Sequence, residues 1–162
     1  MPNWCEGSIK IRGKFENVKL FCKEVFQVYS LKKTENGLEN VLDESAMKVE
    51  CDSESEFWMC IEKDAYIKGT RRNFVESGDL DFFPDKKGNT IAILNFKAAW
   101  AIESDPYIKL SGKYGVDIRI YGFEKGMEFN QEVIVEQGKL IKNEEITFDD
   151  YEWDCPMPNI GG

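Results

Sequence analysis

The stretch Ser8-Ile9-Lys10-Ile11-Arg12-Gly13-Lys14-Phe15-Glu16-Asn17-Val18-Lys19-Leu20-Phe21-Cys22-Lys23-Glu24-Val25 changes its hydrophobic period at Gly13. Before the glycine, Ile9 and Ile11 alternate with Lys10 and Arg12, the two-residue repeat of a strand with one wet face. After it, Val18, Phe21, Cys22, Val25, Phe26 and Tyr29 recur at i, i+3, i+4 and i+7 spacing and turn Lys19, Lys23 and Glu24 outward. That spacing predicts an amphipathic helix over 15–31.

Working outward, Met47, Val49 and Cys51 alternate as a half-buried strand, and the apolar run Phe57 to Ile61 predicts its partner across a hairpin at 52–56. Ile91, Ile93 and Asn95 on one side, with Ala92, Leu94 and Phe96 on the other, predict a strand wet on neither face. Ser104-Asp105-Pro106 is a helix start, since Ser or Asp can cap free amides and Pro fits the first turn. Tyr107, Leu110, Ser111 and Tyr114 share a face, and Gly115 is a natural stop. Val116, Ile118 and Ile120 then alternate as a strand, and 129–135 and 140–148 form a hairpin around Glu136-Gln137-Gly138-Lys139.

The polar stretch 32–45, with Asn36-Gly37 as a turn signal, reads as a surface excursion of low order, and 64–88 as a loop-rich insertion. The order βα, ββ, αβ and hairpin predicts an α+β fold with a ferredoxin-like split βαβ core. Its antiparallel sheet carries two helices on one face, with a C-terminal β-hairpin extension. No linker or repeat divides the chain, so 1–162 reads as a single domain with an acidic tail from about 149.

Composition narrows the chemistry. The 162 residues include 30 Asp and Glu against 21 Lys and Arg, a formal charge of -9 that repels phosphate backbones and attracts cationic partners. There is no His, which removes the usual general base near neutral pH and the commonest metal ligand. The five Cys are odd in number, show no CxxC and follow no charged-then-apolar leader, so reduced thiols in the cytoplasm are expected. No apolar run approaches the roughly 20 residues that span a bilayer.

Met1-Pro2-Asn3-Trp4-Cys5, the strand and glycine after it, and the block from Ala98-Ala99-Trp100 to Ile120 resemble the YubB-type ferredoxin-like domains of bacterial, plasmid and phage proteins. Those open on Asn-Trp-Cys and place a Trp before the second helix, whose end leads into an Asp-bearing strand, here Tyr114-Gly115-Val116-Asp117. The likeness does not extend over 32–88. Ala101-Ile102-Glu103 also departs from the Ser and Pro that often follow the second Trp. The resemblance implies a fold and a bacterial or mobile-element setting, and it supplies no catalytic residue.

Several constellations compete for function. Trp4-Cys5 and Trp153-Asp154-Cys155-Pro156 combine thiols with rings, as ligand pockets do, but burial that pins a terminus accounts for both pairs. Cys51 and Cys60 stand nine positions apart on expected separate strands, unlike a metal or iron–sulfur set. Asp149, Asp150, Glu152 and Asp154 beside Glu144 and Glu145 lack EF-hand spacing and read as a solvated acidic face. The ending Gly161-Gly162 reads as a flexible terminus.

Lys68, Arg71 and Arg72 with Tyr66 and Phe74 form a compact basic and aromatic cluster, the combination that holds phosphates and stacks bases. Trp100, Tyr107, Asp117 and Arg119 are candidates for a small-ligand cleft where a strand end meets a helix start. With no nucleophile beside a base and no phosphate loop, the leading expectation is a non-enzymatic binding module with no cofactor and no metal. It acts in the cytoplasm on a protein partner, a basic one by charge. A small-ligand or enzymatic cleft near Trp100 and Arg119 is the alternative. Nucleic acid through Arg71 and Arg72 comes third.

Overall fold

The computed structural model describes residues 3–35, 37–155 and 158–160. Asn36, Pro156 and the terminal Gly-Gly fall outside the described residues, so the Asn-Gly turn and the Gly-Gly reading are not placed.

The chain runs β1 (Trp4–Lys14), α1 (Phe15–Val25), β2 (Phe26–Gln27), β3 (Tyr29–Thr34) and β4 (Gly37–Leu42). After a 3-10 turn follow β5 (Met47–Asp52), β6 (Phe57–Ile61), β7 (Ala65–Ile67), β8 (Asn73–Val75) and β9 (Gly78–Phe82). The remainder is β10 (Asn89–Ala99), α2 (Asp105–Tyr114), β11 (Val116–Glu124), β12 (Phe129–Glu136), β13 (Lys139–Thr147) and α3 (Tyr151–Asp154). An eight-stranded antiparallel sheet has the order β13-β12-β11-β1-β10-β8-β7-β2, beside a β3-β4 ribbon and a three-stranded β5-β6-β9 sheet.

The expected ferredoxin-like α+β core is therefore wrong. Among the described residues strands make up 54% and helix 18%, the main sheet has eight strands, and the three helices are short. The error lies in the segments read as loop: 32–45 builds most of the β3-β4 ribbon, and 64–88 supplies β7, β8 and β9. Strands of three to six residues flanked by turns carry too little periodicity to stand out from irregular chain. The first helix also ends at Val25 rather than residue 31. Phe26 and Val28 are buried while Gln27 and Tyr29 are not, so the period drops to two just where the helical spacing would also have placed Phe26 inward.

One face of the large sheet builds the core. Ile9 and Ile11 of β1, Ala92 and Phe96 of β10 and Ile118 and Ile120 of β11 pack with α1, with Tyr107 and Tyr114 of α2 and with Phe57, Met59 and Phe82 of the small sheet. Phe21 meets Tyr114 edge-on at 5.5 Å between ring centres, and Phe15 meets Phe82 at 5.7 Å. Lys19, a buried cation, is held by Asp52 at 2.8 Å and Glu16 at 3.0 Å, as a charge out of water requires.

The opposite face is largely open. Ile91 and Ile93 are 50% and 58% exposed, which corrects the reading of β10 as dry on both sides. The terminators hold better. Gly115 closes α2 at φ 62°, its N–H donating to the Ser111 carbonyl, although neither Ser104 nor Asp105 provides a side-chain cap at the other end. Gln137 and Gly138 both take positive φ (47° and 76°), the pair of angles that a two-residue hairpin turn demands.

The packing predicts that Phe21→Ala costs about 3–5 kcal/mol, whereas Leu20→Ala, one position round the same helix and exposed, stays within about 0.5 kcal/mol. Denaturant midpoints of the two variants check it; equal shifts would mean that α1 buries a different face.

Candidate functional site

The loop between β7 and β8, Lys68-Gly69-Thr70-Arg71-Arg72, reverses the chain with Gly69 at φ 85°. Thr70 is its anchor. Its buried hydroxyl donates to the Ile67 carbonyl at 2.7 Å and accepts from the Asn73 N–H at 3.3 Å. The Tyr66 hydroxyl donates to the Thr70 carbonyl, and Lys68 N–H donates to the Val25 carbonyl at 2.9 Å. The loop is tied down at both Lys68 and Thr70, so Arg71 and Arg72 are presented from a fixed base.

Beside it, β10 ends at Ala99 and the chain turns at Trp100. The Ala99 N–H donates to the Arg72 carbonyl at 3.1 Å, and the Trp100 N–H to the Asn3 carbonyl at 2.9 Å. Gln131 of β12 grips the next segment, accepting from the Ile102 N–H at 2.8 Å and donating to its carbonyl at 2.9 Å. Between these clamps Trp100 adopts φ 73°, a left-handed conformation that costs an L-residue roughly 1–2 kcal/mol. Trp100 is nevertheless 56% exposed.

Arg71, Arg72, Asn73, Ala99, Trp100 and Glu103 line a concavity of about 140 Å³. Below it the Asn73 side chain donates to the Tyr107 hydroxyl at 2.6 Å, joining the loop to α2. Burial pushes the Tyr107 hydroxyl's pKa far up, so it stays a neutral structural group.

A row of rings leads away across the open face. Trp4 meets Phe74 at 6.0 Å, Phe74 meets Tyr66 at 6.0 Å, and Tyr66 meets Tyr29 at 6.2 Å, all edge-on. Arg72 and Lys97 lie over the Trp4 ring at 5.7 Å and 5.5 Å, within cation–π range. Lys97 is also paired with Asp64.

The four arginines divide in two. Arg12 is bound by Asp117 at 2.8 Å and Glu136 at 3.5 Å, and Arg119 by the buried Glu132, its Nε donating at 2.7 Å. Among the described residues, Arg71 and Arg72 have no carboxylate partner. A guanidinium that is positioned but unpaired offers a planar fork of donors to carboxylate or phosphate.

The cleft expected from Trp100, Tyr107, Asp117 and Arg119 is not assembled. Tyr107 is fully buried on the core side, and Asp117 and Arg119 are tied up in ion pairs. Trp4 pairs with Ala99 at one end of β1 and Arg12 with Asp117 near the other, eight residues or about 26 Å away. What the fold brings together instead is Trp100 from that group and Arg71 and Arg72 from the basic cluster, while Lys68 lies exposed at the start of the same loop. Sequence reasoning missed Trp4 and Lys97 as neighbours of Arg72, since only the pairing of β1 with β10 and of β10 with β8 unites them.

A larger hollow, about 1060 Å³, is an open trough at the Asp117 end. Its Arg12 and Asp117 satisfy each other, and Asp85 accepts from the amides of Lys87 and Asn89. The thiol pair also separates. Cys5 belongs to the main core, with burial first and the nearby Glu124 and Glu6 next pushing its pKa up to about 12, whereas Cys155 packs with Phe123 and Tyr151. Trp153 is 85% exposed and pins nothing.

Comparison with protein-family models, curated proteins and solved structures gave no match.

Burial opposes ionisation of Glu132, but Lys142 and Arg119 outweigh it and hold its carboxyl below the usual range. A depressed folded pKa contributes stability that is full above the unfolded value near about 4.3 and is lost as pH falls through the lower folded value. Stability is therefore predicted to drop below about pH 4, and Glu132→Gln to flatten that part of the curve. Urea midpoints from pH 3 to 7 read it; an unchanged acid slope would remove Glu132 from the account.

Proposed function

We propose that this protein is a non-enzymatic binding module that captures an anionic group at the sheet end formed by Arg71, Arg72 and Trp100. The single observation that carries the reading is the pair of adjacent arginines, without a carboxylate partner among the described residues and presented by a tied loop, beside an exposed tryptophan held in a strained conformation. Backbone strain persists where the surroundings over-determine it, and it gathers at ligand clamps. Binding needs no proton transfer at this site, and Tyr107, the titratable group beneath it, is locked neutral. We further propose a cytoplasmic setting, in keeping with five thiols and no pairing between them. Among the described residues no helix is long and apolar enough to cross a membrane. The kinship with YubB-type domains stays a proposal too: the two segments that suggest it, around Asn3-Trp4-Cys5 and Trp100, meet at this sheet end.

Backbone amide NMR with inorganic polyphosphate as the probe tests the reading. Shifts are expected to concentrate at 68–73 and 99–103 and to vanish in Arg71→Glu plus Arg72→Glu. Shifts centred on Lys10, Arg12 and Arg119, or none at all, would sink it. A second outcome is expected from the strain: Trp100→Gly should raise stability by up to about 1 kcal/mol in denaturant melts. A loss of stability would show that the indole packs.

A further inference from the structure

We infer that the ligand of this site is a nucleotide, its base stacked on the Trp100 indole and its phosphate held by Arg71 and Arg72. The inference rests on the anion-binding reading above and adds the aromatic half of the ligand. An exposed indole is the strongest stacking surface a side chain offers, and stacking tolerates any base because every base has a π face. The concavity of about 140 Å³ suits a compact anionic group rather than a whole nucleotide, which leaves the base outside, against the indole that walls it. Both arginines are presented by a preformed loop, so little order has to be gained on binding.

The setting also shapes the mode of binding. The chain carries a net charge of -9 and Glu103 lines the hollow, so long-range electrostatics oppose an anionic ligand and attraction is confined to the neighbourhood of the arginines. Stacking must supply most of the affinity. A duplex hides its base faces and gains little here, whereas an unpaired nucleotide exposes them. Trp4 does not serve as a stacking ring, because Arg72 and Lys97 already lie over it. Its part is to position Arg72. Beyond it, Phe74, Tyr66 and Tyr29 form an apolar track along which the next nucleotides of a single strand can lie. A free mononucleotide would use the first part of the site alone.

The test is fluorescence anisotropy with a labelled single-stranded 15-mer, competed by its unlabelled duplex, by AMP, by polyphosphate and by a Glu-rich peptide. The single strand should bind more tightly than polyphosphate of equal charge. Trp100→Ala should weaken it roughly 5- to 150-fold, and Arg71→Glu plus Arg72→Glu should abolish it. Glu103→Gln should strengthen it, and Trp153→Ala, exposed elsewhere, should leave it unchanged. The salt slope should be shallow, about -1.4 for two phosphate contacts. If AMP competes as well as the strand per nucleotide, the site takes free nucleotides; if it does not, the source is a strand, and either result supports the stacked nucleotide. If the strand binds no better than polyphosphate and Trp100→Ala changes nothing, the nucleotide is refuted while the anion site stands. The same holds if the Glu-rich peptide displaces the strand more effectively than any nucleotide. If polyphosphate also fails to bind, both readings fall.

Discussion

The fold depends on β1. It pairs with β10 from Trp4↔Ala99 to Lys14↔Asn89 and with β11 from Glu6↔Phe123 to Gly13↔Val116, so almost every backbone group on both of its sides is satisfied within the sheet. Its alternation then commits the whole sheet. Ile9 and Ile11 must be covered, and two helices of 11 and 10 residues are too small to roof eight strands. The β5-β6-β9 sheet completes the cover through Phe57, Met59 and Phe82. On the other face Ile91 and Ile93 stay exposed, and of the ring row Tyr29 is exposed while Trp4, Tyr66 and Phe74 are half-buried.

The same strand sets the site. Because β1 enters at Trp4 and β10 leaves at Ala99 directly opposite, the two chain segments cross at one end of the sheet. Trp100 is then trapped between the Asn3 carbonyl behind it and the Gln131 clamp ahead. The positive φ is a consequence of those two fixed points, and it projects the indole outward beside Arg71 and Arg72. The strain at Trp100 is offset by the surrounding hydrogen bonds that hold it.

Strong periodicity was legible in the sequence, and topology was not. The strand of Ile9 and Ile11, the α2 helix with its Gly115 stop, and the hairpin turning at Gln137-Gly138 all follow from local rules about spacing and backbone angle. The strands β7, β8 and β9 did not show, because three to five residues such as Asn73-Phe74-Val75 acquire their strand character from pairing with distant neighbours. That loss cost the fold class, and with it the grouping of the candidate site. Arg71, Arg72 and Trp100 were each singled out from sequence, but in separate groups, because their proximity is created by the β8–β10 pairing. The net charge of -9 describes the whole surface and does not fix the local potential at the Arg71-Arg72 loop.

The chain has four tryptophans, and Trp4, Trp58, Trp100 and Trp153 occupy four different surroundings. Their indole N–H resonances, followed by NMR as a single-stranded oligonucleotide is added, give the most direct test. The proposed stacking predicts that the Trp100 signal moves with the titration, and that the exposed Trp58 and Trp153 stay in place. Saturable binding that leaves Trp100 unmoved while Trp58 or Trp153 shifts would contradict it.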